Sequence, residues 1–453
     1  MAQPIILPIS TVQHDFQAVV QDVLDGLVPE DKFWVSCYKT EEPSVHGKAV
    51  VALDENNRDL LIFRGQDGVE FKECRQGAYS VSCPSLALGE TRVAVPSASY
   101  SSPEDIRKQG KQITAFDVAP NGTQFATGYQ DGSVVVRPSS SSTSTPSVIS
   151  KAHLSTVTSI RFFPSSRVLL TGGVDFSLSI LSAEPSDTPA GYETTRATPV
   201  RTLRGHTRAI TSTGIVARGR NVLSGSKDGS LRLWDVPTSA QIRTLAAGTN
   251  RFIPILALST GERWKPDAHA TDADGTPAEA PDGREVETND KVVFCALQDG
   301  SFELFDLRTK RAEFRSPPGA AGLRSALQSI AYGPEDHLLV TGSASGFVSV
   351  HDTRTLGEGP ITTFRRNSAP IEDINFASLS ETSFSLGAPS FTGVGVAVAT
   401  EDGLPYVADV RPNGPLVRAE LVGTDCDQVR FVRVIGGDVW TAADDGVVRR
   451  YES

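Results

Sequence analysis

The chain has 453 residues, with 54 acidic against 43 basic side chains, giving a net charge of −11. Its 39% apolar and 21% charged content is ordinary globular usage and excludes wholesale disorder or a fibrous repeat. The acidic balance disfavours nucleic acid or an anionic membrane as a general partner, because both need a clustered positive field, and it suits a basic protein partner.

The start, MAQPIILP, lacks the positive n-region of a secretory signal, and no run of about 18 apolar residues occurs to span a bilayer. Five widely spaced cysteines (Cys37, Cys74, Cys83, Cys295, Cys426) form no C-x-x-C pair. That pattern predicts reduced thiols in the cytoplasm, with the nucleus also open, and neither a zinc site nor any other metal or cofactor.

Residues 15–25, DFQAVVQDVLD, put Phe16, Val19, Val20, Val23 and Leu24 on one helical face that Gly26 ends. Strands are expected at 33–38, 49–53, 59–63, 69–74 and 79–83. The Asp67-Gly68 turn invites an eighth repeat unit, but the helix upstream of it favours a small α+β domain over residues 1–105.

From residue 106 one phrase recurs: a short apolar strand, an Asp-Gly turn, and an alternating strand. Its fullest copy is LSGSKDGSLRLWD at 223–235. Asp-Gly between alternating segments is a strong hairpin signal, since glycine tolerates the positive φ of the tight turn. The turn position falls at 132, 176, 229, 300, 346, 403 and 446, at intervals of 44, 53, 71, 46, 57 and 43 residues. The shortest intervals match a four-stranded propeller blade and the longer ones imply insertions. Each unit has an upstream strand, at 113–120, 157–164, 209–216, 252–259, 326–334, 371–378 and 428–435. The fold class expected is all-β, a seven-bladed WD40 β-propeller over 106–453 with the α+β domain before it. The last unit ends at its third strand, Tyr451, so closure needs a strand from before residue 112, placed near Thr91–Ser99.

Insertions are expected at 138–147 (Ser/Thr-rich linker), 182–200 (Pro/Thr-rich) and 261–290, an acidic loop that is either solvated surface or a basic partner's landing site. In the fullest unit, His206 precedes Trp234 by 28 residues, with Ser224, Ser226 and Asp228 between them. Ser, His and Asp invite a catalytic reading, but no oxyanion hole accompanies them. The set reads instead as a hydrogen-bonded brace inside one blade, with a weaker version at His153 and Asp175. No phosphate loop, H-E-x-x-H or G-x-S-x-G motif is present, so no catalytic residues are assigned and function is expected in surface recognition.

Several phrases are more specific: Arg161-Phe162-Phe163-Pro164, Ala217-Arg218-Gly219-Arg220-Asn221-Val222, Asp425-Cys426-Asp427, Asp445 through Tyr451, Trp34-Val35-Ser36-Cys37 and Ser82-Cys83-Pro84. In these the chain resembles the proteasomal ATPase-associated factor family, departing in the three insertions and at Leu181, where the strand Trp is lost. The resemblance implies a non-enzymatic assembly chaperone of the proteasome 19S regulatory particle base. Such a chaperone is monomeric when free, binds the C-terminal domain of an ATPase subunit, and leaves before the mature complex forms.

Blade-to-blade connections share a face with the Asp-Gly turns, and a binding patch is expected there from Asp425, Asp427, Asp444, Glu401, Glu372 and Asp373. Local turn capping or plain solvent exposure are the other readings of these acids. Arg449 and Arg450 are expected in structural ion pairs. Two other classes stay open: a scaffold or substrate receptor of another complex such as a ubiquitin ligase, and an enzyme with a site in the propeller channel.

Overall fold

The computed structural model describes residues 3–54, 60–75, 77–102, 112–140, 148–184, 195–248, 252–264, 282–319, 325–379, 393–411 and 414–452. The expected boundary at residue 105 lies outside these residues, as do most of the 138–147 linker and the insertion acids Asp267, Asp272, Asp274 and Glu279. Within them, seven four-stranded antiparallel units follow one another in the order of the sequence repeat.

The first blade is built from Ile113–Val118, Gln124–Tyr129, Ser133–Pro138 and Val148–Lys151, the second from Val157–Phe162, Val168–Gly173, Ser177–Ser182 and Arg201–Arg204. The third spans Ile210–Val216 to Ala240–Ala246, the fourth Ile255–Glu262 to Arg311–Arg315, and the fifth Leu327–Gly333 to Thr362–Arg365. The sixth runs from Ile371–Leu379 to Leu416–Leu421, and the seventh begins with Val429–Ile435, Asp438–Ala443 and Val447–Tyr451. The first strand of every blade packs on the first strand of the next, and Val429–Ile435 returns to Ile113–Val118, closing the ring.

The seventh blade takes its fourth strand from Ala98–Ser101, antiparallel to Val447–Tyr451. This corrects the placement near Thr91–Ser99: Thr91 belongs to the preceding strand, Leu88–Ala94, and the two strands are parted at Pro96. Leu88–Ala94 runs parallel to Leu416–Leu421 and carries Ala78–Cys83 and Glu70–Arg75 behind it, so the sixth blade extends to seven strands. Ile5–Ile6 likewise adds a parallel edge to the fifth blade, and Thr195–Ala197, inside the 182–200 insertion, adds one to the first.

The helix, Phe16–Leu24, lies over a sheet of Ile9–Val12, Glu30–Tyr38, Val45–Leu53 and Leu61–Gln66. Its buried Phe16 meets Phe33, Tyr79 and Phe71 with ring centroids 5.3–6.0 Å apart. Packed aromatic groups of this kind add to the stability that burial alone supplies. Glu420, 3% exposed, ties this layer to the propeller: it accepts from the Ser10 N–H at 2.9 Å and pairs with Arg366 of the fifth-to-sixth connection.

Two local devices repeat. Every inner strand pairs with its neighbour through a register shift at its second residue, and a bulge of this kind re-aims the side chain it carries. In three blades that residue is a threonine, and Thr114, Thr158 and Thr211 donate to the carbonyls of Val157, Ile210 and Ile255 in the next blade at 2.6–2.7 Å. Second, glycine fills the hairpin position with positive φ in six blades, at 132, 229, 300, 346, 403 and 446. At Gly229 a Cβ would stand 2.6 Å from the Phe252 carbonyl carbon in the following connection, so glycine answers both the turn and the packing.

Candidate functional site

The brace residues meet in the third blade. His206 Nδ1 lies 2.8 Å from Asp228 and its Nε2 lies 2.7 Å from the Ser224 hydroxyl, which also accepts from Trp234 Nε1 at 2.8 Å. Ser226 joins from the side, accepting the Asp228 N–H at 3.1 Å. Burial would raise the Asp228 carboxyl, but hydrogen bonds from His206, Ser230 and the Thr207 N–H outweigh it and hold the group well below the carboxylate range. The second blade repeats the geometry with His153, Asp175 and Thr171, at 3.0 and 2.9 Å. Burial lowers the His153 pKa. Both histidines have fully buried side chains, locked between strands of their own blade and the connection before it.

The six acids of the expected patch divide. Glu401 lies in the sixth-blade turn, and Asp425 and Asp427 lie in the sixth-to-seventh connection; all three are exposed. The two segments touch: a Cβ at Gly403 would stand 2.7 Å from the Asp427 carbonyl oxygen, and the Thr424 hydroxyl donates to the Gly403 carbonyl at 2.7 Å. Cys426 takes a positive φ of 61° between the two aspartates. Asp402, in the same turn, accepts from Asn367 at 2.6 Å.

The other three are drawn into the molecule. Asp444 receives Nε and Nη2 of Arg430, the latter at 2.8 Å, and also Gln112. Arg430 occupies the bulged second position of its inner strand, which aims it at that turn. Glu372 occupies the same position in the sixth blade, half-buried in the channel wall, where burial raises its pKa. Asp373 follows it and pairs with Arg433 of the seventh blade, which also donates to Asp117 of the first at 2.9 Å. Arg449 and Arg450 pair with Asp445 and Asp438.

The channel mouth holds a cavity of about 530 Å³ lined among others by Arg161, Tyr332, Asp373, Asn375 and Arg433. Arg433 bridges Asp373 to Asp117 behind the cavity, and Asp117 also receives Arg161, while Glu335 and Asp336 stand exposed at the rim. In the 261–290 insertion, the described acids Asp282, Glu285, Glu287 and Asp290 pair with Arg284, Arg243, Arg218 and Lys291 respectively. Among the described residues no helix is long and apolar enough to cross a membrane.

Two segments, 144–181 and 197–235, match the model of the WD domain, G-beta repeat. The chain carries WD40 repeats. Each match takes the outer strand of one blade and the first three strands of the next, so the two cover most of the second and third blades, the two with His braces. Over 178 residues the chain is 28% identical to proteasomal ATPase-associated factor 1 of Homo sapiens, covering 39% of either protein. It is 26% identical over 218 residues to the 26S proteasome regulatory subunit RPN14 of Saccharomyces cerevisiae, covering 47% of this chain and 45% of that one. It is also 26% identical over 249 residues to the ribosome biogenesis protein ytm1 of Aspergillus niger, covering 52% and 48%. The chain thus spans between two fifths and half of the length of these relatives.

Proposed function

We propose that this propeller is a non-enzymatic assembly chaperone of the proteasome regulatory particle base. It binds the C-terminal domain of a proteasomal ATPase subunit and is released before the mature complex forms. The observation that carries the proposal is the acidic corner of Glu401, Asp425 and Asp427: three exposed carboxylates on two touching loops, none with an ion pair among the described residues. A basic surface meeting that corner gains encounter rate and register from complementary potential. The likeness to proteasomal ATPase-associated factor 1 and RPN14 supports the choice of partner. Asp444, Asp373 and Glu372 belong to the scaffold behind the corner.

The test is calorimetric titration of the chain with each isolated proteasomal ATPase C-terminal domain at two salt concentrations. Binding to one or two domains, weakened by salt, is expected. Asp425→Lys with Asp427→Lys weakens it roughly tenfold or more, with an unchanged melting temperature. Unchanged affinity in that double variant removes the acidic corner from the interface.

The likeness to ytm1, over a larger share of this chain, supports a second reading: a constitutive scaffold of another complex. That reading expects stable co-purification with a finished assembly and no binding to free ATPase domains.

A further inference from the structure

On the face that carries the acidic corner, the second blade presents a contrasting surface. Leu154, in the connection leading into that blade, is 85% exposed, and Phe176 and Val174, in its hairpin turn, are 44% and 37% exposed. Single exposed apolar side chains are common and carry no message, so the grouping alone would be weak. Phe176 adds a second observation. It occupies the turn position that is glycine in the other six blades and takes a φ of 65° there. A bulky residue in the left-handed region is strained, and strain held on a surface turn points to use. Glycine would fold this turn more easily; the sequence has an aromatic ring instead.

The turn is also held firmly. The Leu154 N–H donates to Asp175 at 3.0 Å and the Val174 N–H to the Thr156 carbonyl at 2.9 Å, so connection and turn form one ridge. The charge around it is opposite to that of the acidic corner. Arg204, in register with Ser177 beside Phe176, is exposed, as are Arg208 and Lys227 along the next connection and turn. Of the carboxylates in this region, Asp175 and Asp228 face inward onto His153 and His206, and Asp131 of the first-blade turn pairs with Lys151. An occupant of the ridge therefore meets apolar anchors rimmed by cations.

We propose that Leu154, Val174 and Phe176 form a second docking site, for a protein segment that carries apolar side chains flanked by Asp or Glu. This goes beyond the proposed function: the face has two poles, one for a basic surface and one for an acidic, apolar segment. The second pole does not depend on a proteasomal partner.

The test uses the full chain panned against random peptides about a dozen residues long displayed on phage. Selected peptides are then synthesised and titrated against four proteins: wild type, Phe176→Gly, Leu154→Ser, and Asp425→Lys with Asp427→Lys. The selected motif should pair apolar residues with flanking Asp or Glu. Its affinity should fall roughly tenfold or more in each ridge variant and stay unchanged in the corner variant. Phe176→Gly should melt no lower than wild type, because glycine relieves the turn, which separates lost binding from lost folding. Failure to enrich a motif, a basic motif, or peptides that bind Phe176→Gly as well as wild type would each overturn the proposal. So would self-association of the wild type that either ridge variant abolishes, since the occupant would then be a second copy. None of these outcomes depends on whether an ATPase domain binds.

Discussion

His206 shows how much one side chain can organise. Among the described residues it alone bonds both Asp228 and Ser224, and Ser224 in turn receives Trp234. Replacing it by leucine keeps roughly the volume but takes one hydrogen bond each from Ser224 and from a carboxylate with only 7% side-chain exposure. The expected cost is about 2–3 kcal/mol, read as a lower urea midpoint with unchanged slope. His351, in the fifth blade, differs: burial pushes its pKa down to about 4. The unfolded chain binds that proton below about pH 6.5, whereas the folded chain resists it down to about pH 4, so stability falls as pH drops through this window. The contribution amounts to about 3 kcal/mol in all. Urea midpoints at pH 7.5 and 4.5 should differ less in His351→Phe than in wild type; equal differences would deny this histidine the role.

At the scale of the element, the turn glycines and the bulges divide the work between what a sequence displays and what it hides. Gly229→Ala should destabilise by about 1–3 kcal/mol, because the new Cβ meets the Phe252 backbone at 2.6 Å and φ stays at 77°. An unshifted thermal transition would show that the 252 connection yields freely. Gly346, after Ser345, is placed by the repeat, but the other five of the six turn glycines were legible directly, since Asp-Gly between alternating strands names its own turn. So were most strands and the helix at Phe16–Leu24, whose apolar spacing is local. The bulge at the second residue of each inner strand was not legible, because a register shift is a relation to the partner strand and costs only one residue of phase at the very start of a short strand. At Glu372, one of the acids of the expected patch, that shift turns the side chain into the channel wall. The Thr in ITAF, VTSI and ITST was the available signal, three copies at one position, each bonded to the next blade. The strand Leu88–Ala94 was hidden for another reason. Its partner, Leu416–Leu421, is over three hundred residues away and parallel, and no local pattern reports such a pairing.

For the whole molecule the question is what joins the end of the chain to its beginning. Ala98–Ser101 supplies the last hydrogen-bonded strand of the seventh blade, and Tyr100 stacks on Trp440 with centroids 5.9 Å apart. At the channel, Arg433 spans the same seam: it bonds Asp117 and the Phe116 carbonyl of the first blade and Asp373 of the sixth. Three consecutive blades therefore meet on one guanidinium whose side chain is 8% exposed. Removing one partner of a buried ionic set leaves the others uncompensated, which costs about 3–5 kcal/mol, more than the intact set gains over an apolar replacement. Arg433→Met should lose about that much. A ring held by its neighbours opens as a unit, so fluorescence at Trp234, on the far side of the seam, should shift its unfolding midpoint together with far-UV circular dichroism. If Trp234 keeps its wild-type midpoint while the dichroism splits into two steps, the blades unfold separately and Arg433 holds only its own corner. The acidic corner stands on the sixth-blade turn and the sixth-to-seventh connection, beside this seam, so the same variant should weaken the proposed ATPase-domain binding through the loops it loosens. That loss should disappear at temperatures well below the first unfolding step, where the corner is still in place.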